Sequence, residues 1–189
     1  MNQLLEWLKG GTLRSDGFAP QAADLVIKQP QLLTELLEGL DEPDDVVRAR
    51  TADALERVAR VNPEPFNDHL PRFIAIARSD PIPMVRWHMA MLLGDLIIIE
   101  SAVDEIQHIL HQLLRDNSPF VRSWAISSLT ILGRKYPRNR EGILTRIAAL
   151  HLDNSIAVRH RAHKATDLLM NDRLQIPASW VKSPRLMNL

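Results

Sequence analysis

Ser79-Asp80-Pro81-Ile82-Pro83-Met84-Val85-Arg86 sets out a plan that the 189-residue chain repeats. An Asp, four spacer residues and Val-Arg recur as Asp116…Val121-Arg122 and as Asp153…Val158-Arg159. A degraded copy, Glu42…Val47-Arg48 with Asp41 beside it, precedes them. The arginines are spaced 38, 36 and 37 residues apart. A period of that length marks a supersecondary unit that buries its apolar faces by stacking on copies of itself.

Each unit reads as a helix, a tight polar turn and a second helix. The pairs fall at 31–40 with 43–61, 66–78 with 82–99, 103–115 with 119–136, and 140–152 with 155–171. Leu32, Leu33, Leu36, Leu37 and Leu40 follow helical spacing. Ser118-Pro119 is a clear helix start, with Ser as N-cap and Pro as first helical residue. Pro63, Pro65 and Pro137 separate successive units. No stretch alternates with period 2 long enough to suggest a sheet. Ahead of the array, residues 2–9 and 20–28 read as short helices, so 1–30 is a helical cap and 31–171 the repeats. The remaining 172–189 forms an irregular tail, and its Ile176, Trp180, Val181, Leu186 and Met187 predict that it packs against something.

These residues resemble the HEAT-repeat family, including the short HEAT-like repeats of phycobilisome lyases, over about 31–171. The resemblance implies an all-α fold: a right-handed α-solenoid of about four helix pairs plus the N-terminal helices, in one domain. It also implies that Asp80/Arg86, Asp116/Arg122 and Asp153/Arg159 form a ladder between neighbouring repeats, and that the second helices line the concave surface. A bidentate carboxylate–guanidinium pair at each seam sets the stacking register rather than catalysing anything.

Counting 100° per residue from each ladder Arg sorts the second helices into faces. Val47, Ala54, Leu55, Val58; Val85, Met89, Leu92, Leu93, Leu96; Val121, Ala125, Leu129, Leu132; and Val158, Ala162, Ala165, Leu169 fall on one side, the expected core. The opposite side is expected to face water. It carries Ala49, Asp53, Glu56 and Arg60 in the first repeat, Ser123, Ser127, Thr130 and Arg134 in the third, and His160, Lys164, Asp167 and Asn171 in the fourth. The second repeat breaks the polar pattern with Trp87, Met91, Gly94 and Ile98, and Trp124 borders that stripe on the next helix. An aromatic and Met patch on a concave face suits a protein partner, and Trp87, Met91, Ile98 and Trp124 are the predicted contacts. Burial of the stripe inside the molecule, under the tail for instance, is the competing expectation.

The net charge of zero hides a gradient. Residues 1–116 hold 11 basic and 19 acidic side chains, a net of −8, and residues 117–189 hold 12 and 4, a net of +8. Arg134, Lys135, Arg138, Arg161 and Lys164 are the candidate phosphate contacts at the basic end. Few aromatics are interleaved with them, which argues against stacking on single strands. The lack of cysteine excludes disulfides and thiolate metal sites. His108/His111 and His160/His163 each share a helix face, but neither pair has a carboxylate at ligand spacing and no HExxH motif occurs. No phosphate loop or nucleophile elbow is present. Glu6 in the first apolar stretch and the lack of a basic lead-in make 1–13 a poor signal peptide. Leu92–Ile99 is far shorter than a membrane span.

The sequence reading is therefore a non-catalytic cytoplasmic scaffold that binds a protein partner on its concave face, without cofactor, metal or membrane, and it assigns no oligomeric state. Two alternatives stand beside it. One is a nucleic-acid-binding protein similar to the HEAT-like alkylpurine DNA glycosylases, which place Trp and Asp one helical turn apart. Here Met91 follows Trp87 at that spacing and the acid, Asp95, comes two turns on. The other is a protein similar to the bilin lyases, suggested by repeat type.

Overall fold

A computed structural model describes residues 3–189; Asn2, where the first predicted helix starts, lies outside them. Helices α1 (Gln3–Leu8) and α2 (Ala19–Lys28) precede the array. Four pairs follow: α3 (Leu33–Glu38) with α4 (Asp45–Val61), α5 (Leu70–Ser79) with α6 (Pro83–Leu96), α7 (Val103–Leu113) with α8 (Pro119–Lys135), and α9 (Arg140–Ala148) with α10 (Ile156–Met170). No strand occurs among the described residues, and none of their helices is long and apolar enough to cross a membrane.

Turn chemistry starts the second helices. The Asp80, Asp116 and Asp153 side chains each accept a hydrogen bond from the backbone N–H two residues on, at Ile82 (2.8 Å), Ser118 (2.7 Å) and Ser155 (2.7 Å). Asp44 does the same for Val46 at 2.8 Å. Ser118 occupies the N-cap position as predicted, but its hydroxyl makes no capping bond, because the Asp116 carboxylate has taken over the turn. Helix α6 stops at Leu96, short of the predicted residue 99.

Helices α4, α6, α8 and α10 stack consecutively, whereas among the first helices α5 and α7 pack on each other far less closely and the other neighbours hardly at all. The stack therefore closes on the second-helix side, its concave side. Every predicted core position on the four second helices is buried. At the N-terminal end α1 and α2 cover α4. The buried Arg50 guanidinium ties them down by donating to the carbonyls of Leu8 (2.9 Å), Lys9 (3.3 Å), Gly10 (2.7 Å) and Ser15 (3.3 Å). Gly17 in that loop has φ +53°, and a Cβ there would sit 2.5 Å from Arg50 Cζ.

Candidate functional site

The seams come first because they position everything else. Arg86 reaches forward into the next repeat, Nε to Asp116 Oδ2 at 2.7 Å and Nη2 to Oδ1 at 2.9 Å. Arg122 makes the same fork with Asp153, both bonds 2.8 Å. Arg48, in the degraded copy, keeps one bond to Asp80 at 3.2 Å. Each arginine also donates backward to two carbonyls of its own turn, as Arg86 does to Asp80 (2.7 Å) and Pro81 (3.2 Å). Arg159, last in the row, bonds the Asp153 and Asn154 carbonyls. One guanidinium thus locks its own turn and fixes the register of the next repeat. The effect shows in Asp153. Burial would raise its pKa, but the bonds from Arg122 and from the Ser155 N–H hold it below the usual carboxylate value.

The concave face is not open. The tail turns back from α10 and crosses it toward the first repeat, with Trp180, Val181, Ser183 and Leu186 buried. Arg134 holds the start of this strap by donating to the carbonyls of Leu168 (3.1 Å), Leu174 (2.8 Å) and Asp172 (3.0 Å). At its far end Ser183 Oγ donates to the Arg60 carbonyl at 2.8 Å, and Arg185 pairs with Glu64. In the middle the Arg161 guanidinium lies 5.1 Å from both the Trp124 and the Trp180 rings. Arg161 is anchored there by a 2.8 Å bond to Ser127 Oγ. Beneath Trp180 and Lys182 lies a small space lined by Glu56, Met91, Asp95, Trp124 and Ser128.

A polar cluster is buried between α4 and α6. Asp53, Glu56, His88 and Asp95 are all at most 8% exposed. Arg57 holds Asp53 (2.9 Å from Nε to Oδ1), and Arg60 holds Glu56 (2.7 Å from Nε to Oε1). His88 Nδ1 stands 3.8 Å from Asp53 Oδ1, and burial lowers its pKa to about 4, so the ring is neutral at pH 7. Burial raises the pKa of Glu56 against the pull of Arg60, and raises that of Asp95 well above the carboxylate range. Burial is the main cause for Asp95, and the neighbouring Glu56 carboxyl adds to the rise. Asp53 and Glu56 were expected in water. They are buried because α1 and α2 on one side and the strap on the other cover α4. The signal available in the sequence was two acids each followed four residues later by Arg.

Of the predicted partner contacts, Met91 is 9% exposed and lies under the strap beside Trp124. The expectation that this stripe stands open in solvent is thus corrected, the apolar tail being the cover. Ile98 is half-buried beyond the end of α6, so it does not continue the stripe. Trp87 is half-buried at the edge, its ring 5.2 Å from that of Phe120, which is 62% exposed. Ser123, Ser127 and Thr130, also expected in water, are buried in the α8 stack. The five basic candidates do not form one surface. Arg134 and Arg161 are spent on the strap, and Lys135 and Arg138 flank the Tyr136 ring at 5.5 and 6.0 Å. Lys164 lines a cleft between α10 and the strap with His160, Ile156 and Trp180. Asp95, the acid weighed for a glycosylase role, is 4% exposed.

Comparison with curated proteins returns no match. Among solved structures, a chain of the CpcE–CpcF complex of phycocyanin lyase from Nostoc sp. PCC7120 is similar at TM-score 0.70 and 23% identity, over 86% of this chain and 95% of that one. A designed armadillo repeat protein in complex with the peptide (KR)4 is similar at TM-score 0.61 and 17% identity, over 89% and 81%. The MAST/Orbit N-terminal domain is similar at TM-score 0.50 and 17% identity, over 100% and 96%. Each likeness is one of fold. The HEAT-repeat family model matches residues 33–130 and again 70–165, spanning the three seams of the ladder. The chain belongs to the HEAT-repeat family.

Proposed function

We propose that the protein is a binding scaffold that takes an extended segment of a partner protein along its concave face, in the lane its own tail occupies. The observation that carries this reading is the strap itself. A stretch without regular helix, Ser179-Trp180-Val181-Lys182-Ser183, lies in that lane with Trp180, Val181 and Ser183 buried against the scaffold. It inserts an aromatic ring and sets Lys182 beside Glu56 and Asp95. A partner segment of the same chemistry, aromatic and aliphatic with a basic residue, suits the same floor. The similar designed armadillo protein is in complex with a basic peptide. Trp87 and Phe120 at the edge, and Ile156 at 74% exposure on the next helix, extend the apolar surface past the strap.

A tethered segment competes at an effective concentration on the order of millimolar. Weakening the strap therefore strengthens partner capture, and damaging the edge weakens it. The test is quantitative affinity capture from native extract with wild type, Trp180→Ala, and a Trp87→Ala/Phe120→Ala variant, each checked for helix content by circular dichroism. The reading requires one protein to be enriched by Trp180→Ala and depleted by the edge variant. Identical capture by all three folded proteins refutes it.

A further inference from the structure

Buried polar groups in folded proteins almost always have partners, and exceptions call for an ion, a water or a function. The cluster between α4 and α6 holds two such exceptions, His88 Nδ1 and Asp95 Oδ2, both buried without a hydrogen bond. Asp53 and Glu56 lie three residues apart on α4 and so present both carboxylates on one face. His88 meets them from α6. One ligand atom from each of Asp53, Glu56 and His88 lies within 4.8 Å of the other two.

We propose that Asp53, Glu56 and His88 form a binding site for a divalent transition-metal cation of the zinc class. The donor set, one neutral imidazole nitrogen and two carboxylate oxygens, suits zinc and leaves a coordination position for solvent. Magnesium and calcium favour all-oxygen sets. Zinc ligands about 2.1 Å from the ion stand roughly 3.4 Å from one another, so side-chain rotations of about 1 Å complete the shell. Arg57 and Arg60 do not block this, because a ligating carboxylate ordinarily accepts a further hydrogen bond that orients it. Their side chains are 31% and 21% exposed. This site is independent of the partner-binding reading, since it is assayed on the isolated protein.

The experiment uses the full chain, stripped with a chelator and then titrated with Zn²⁺ against a chromophoric competitor, with bound metal counted by mass spectrometry. Co²⁺ serves as a spectroscopic stand-in. The expected result is one equivalent, with visible d–d bands for the cobalt form. His88→Gln, folded by circular dichroism, is expected to lose affinity by about 10- to 100-fold and to lose those bands. Asp53→Asn, close in shape to the original residue, provides the same test should His88→Gln fail to fold. His151→Gln/His163→Gln removes a pair of rings stacked at 4.1 Å, the first half-buried and the second exposed, and is expected to leave binding intact. Wild type without a bound equivalent overturns the proposal, and so does a folded His88 or Asp53 variant that binds as wild type does. An equivalent that disappears with the His151/His163 variant is surface binding and overturns it too.

Discussion

Replacing Trp180 by alanine separates a strap laid over a finished solenoid from a tail that belongs to its core. The indole is 8% exposed and contacts the Arg161 guanidinium. A buried aromatic side chain removes about 150–250 Å² from water, worth ~4–6 kcal/mol at 25 cal/mol/Å² as an upper bound. Truncations of this kind cost about 3–5 kcal/mol, and part of the gross figure is already offset by the entropy of ordering the strap. We take ~3 kcal/mol, equivalent to a roughly 100-fold larger open population. Proteolysis of a locally opened segment follows that population when closing is fast. Trypsin has sites in the tail at Arg173, Lys182 and Arg185, and Lys182 lies between the buried Val181 and Ser183. Cleavage after Lys182, followed by intact-mass spectrometry, is expected to accelerate about 100-fold in Trp180→Ala, while cleavage within the repeats and the helix signal stay as in wild type. Unchanged cleavage after Lys182 refutes the energetics. Acceleration of equal size at every site refutes separability, because the strap then unfolds together with the core.

The other predictions concern the scaffold. Asp116→Ala removes the acceptor of the Arg86 fork and the cap of the Ser118 N–H. Both charged side chains are largely buried, and bonds to charged groups contribute about 1.5–3 kcal/mol, so urea unfolding is expected to show a loss near 2 kcal/mol, smaller in Asp116→Asn. Asp153 has a folded-state pKa below its ordinary value near 3.8. Its stabilising contribution is therefore present above that ordinary value and is lost as pH falls through the lower folded value. Urea midpoints between pH 7 and pH 2.5 are expected to fall at the acid end, and less steeply in Asp153→Asn. Gly17→Ala places a Cβ at φ +53° against Arg50, whereas Gly10→Ala, at φ +77°, meets open space. The left-handed conformation costs about 1–2 kcal/mol in each; the Gly17 variant is expected to lose more by thermal melting, through the clash with the Arg50 clamp.

The repeat ladder was legible in the sequence because it is local arithmetic. An Asp that caps its own turn and an Arg six residues later recur at one spacing, and stacking identical units leaves those groups one geometry in which to meet. The buried apolar positions of α4, α6, α8 and α10 were legible for the same reason, since helical periodicity assigns a face within each helix. What the periodicity could not say is what covers the opposite face. Asp53, Glu56, Ser127 and Thr130 look solvated by type and position, yet each is buried. Their burial depends on α1, α2, the neighbouring repeats and the strap, segments up to 123 residues away in the chain, as in the Ser183–Arg60 bond. The Trp87–Met91 stripe was read correctly as anomalous, but its cover could not be told from a partner, because burial within the molecule and burial by a second molecule select the same apolar side chains. The sequence alone thus determined a HEAT-type solenoid, its repeat spacing and its ladder, all consequences of short-range spacing. Tertiary structure alone decided that the tail closes the concave face and that His88 meets Asp53 and Glu56, because both depend on where distant segments come to rest.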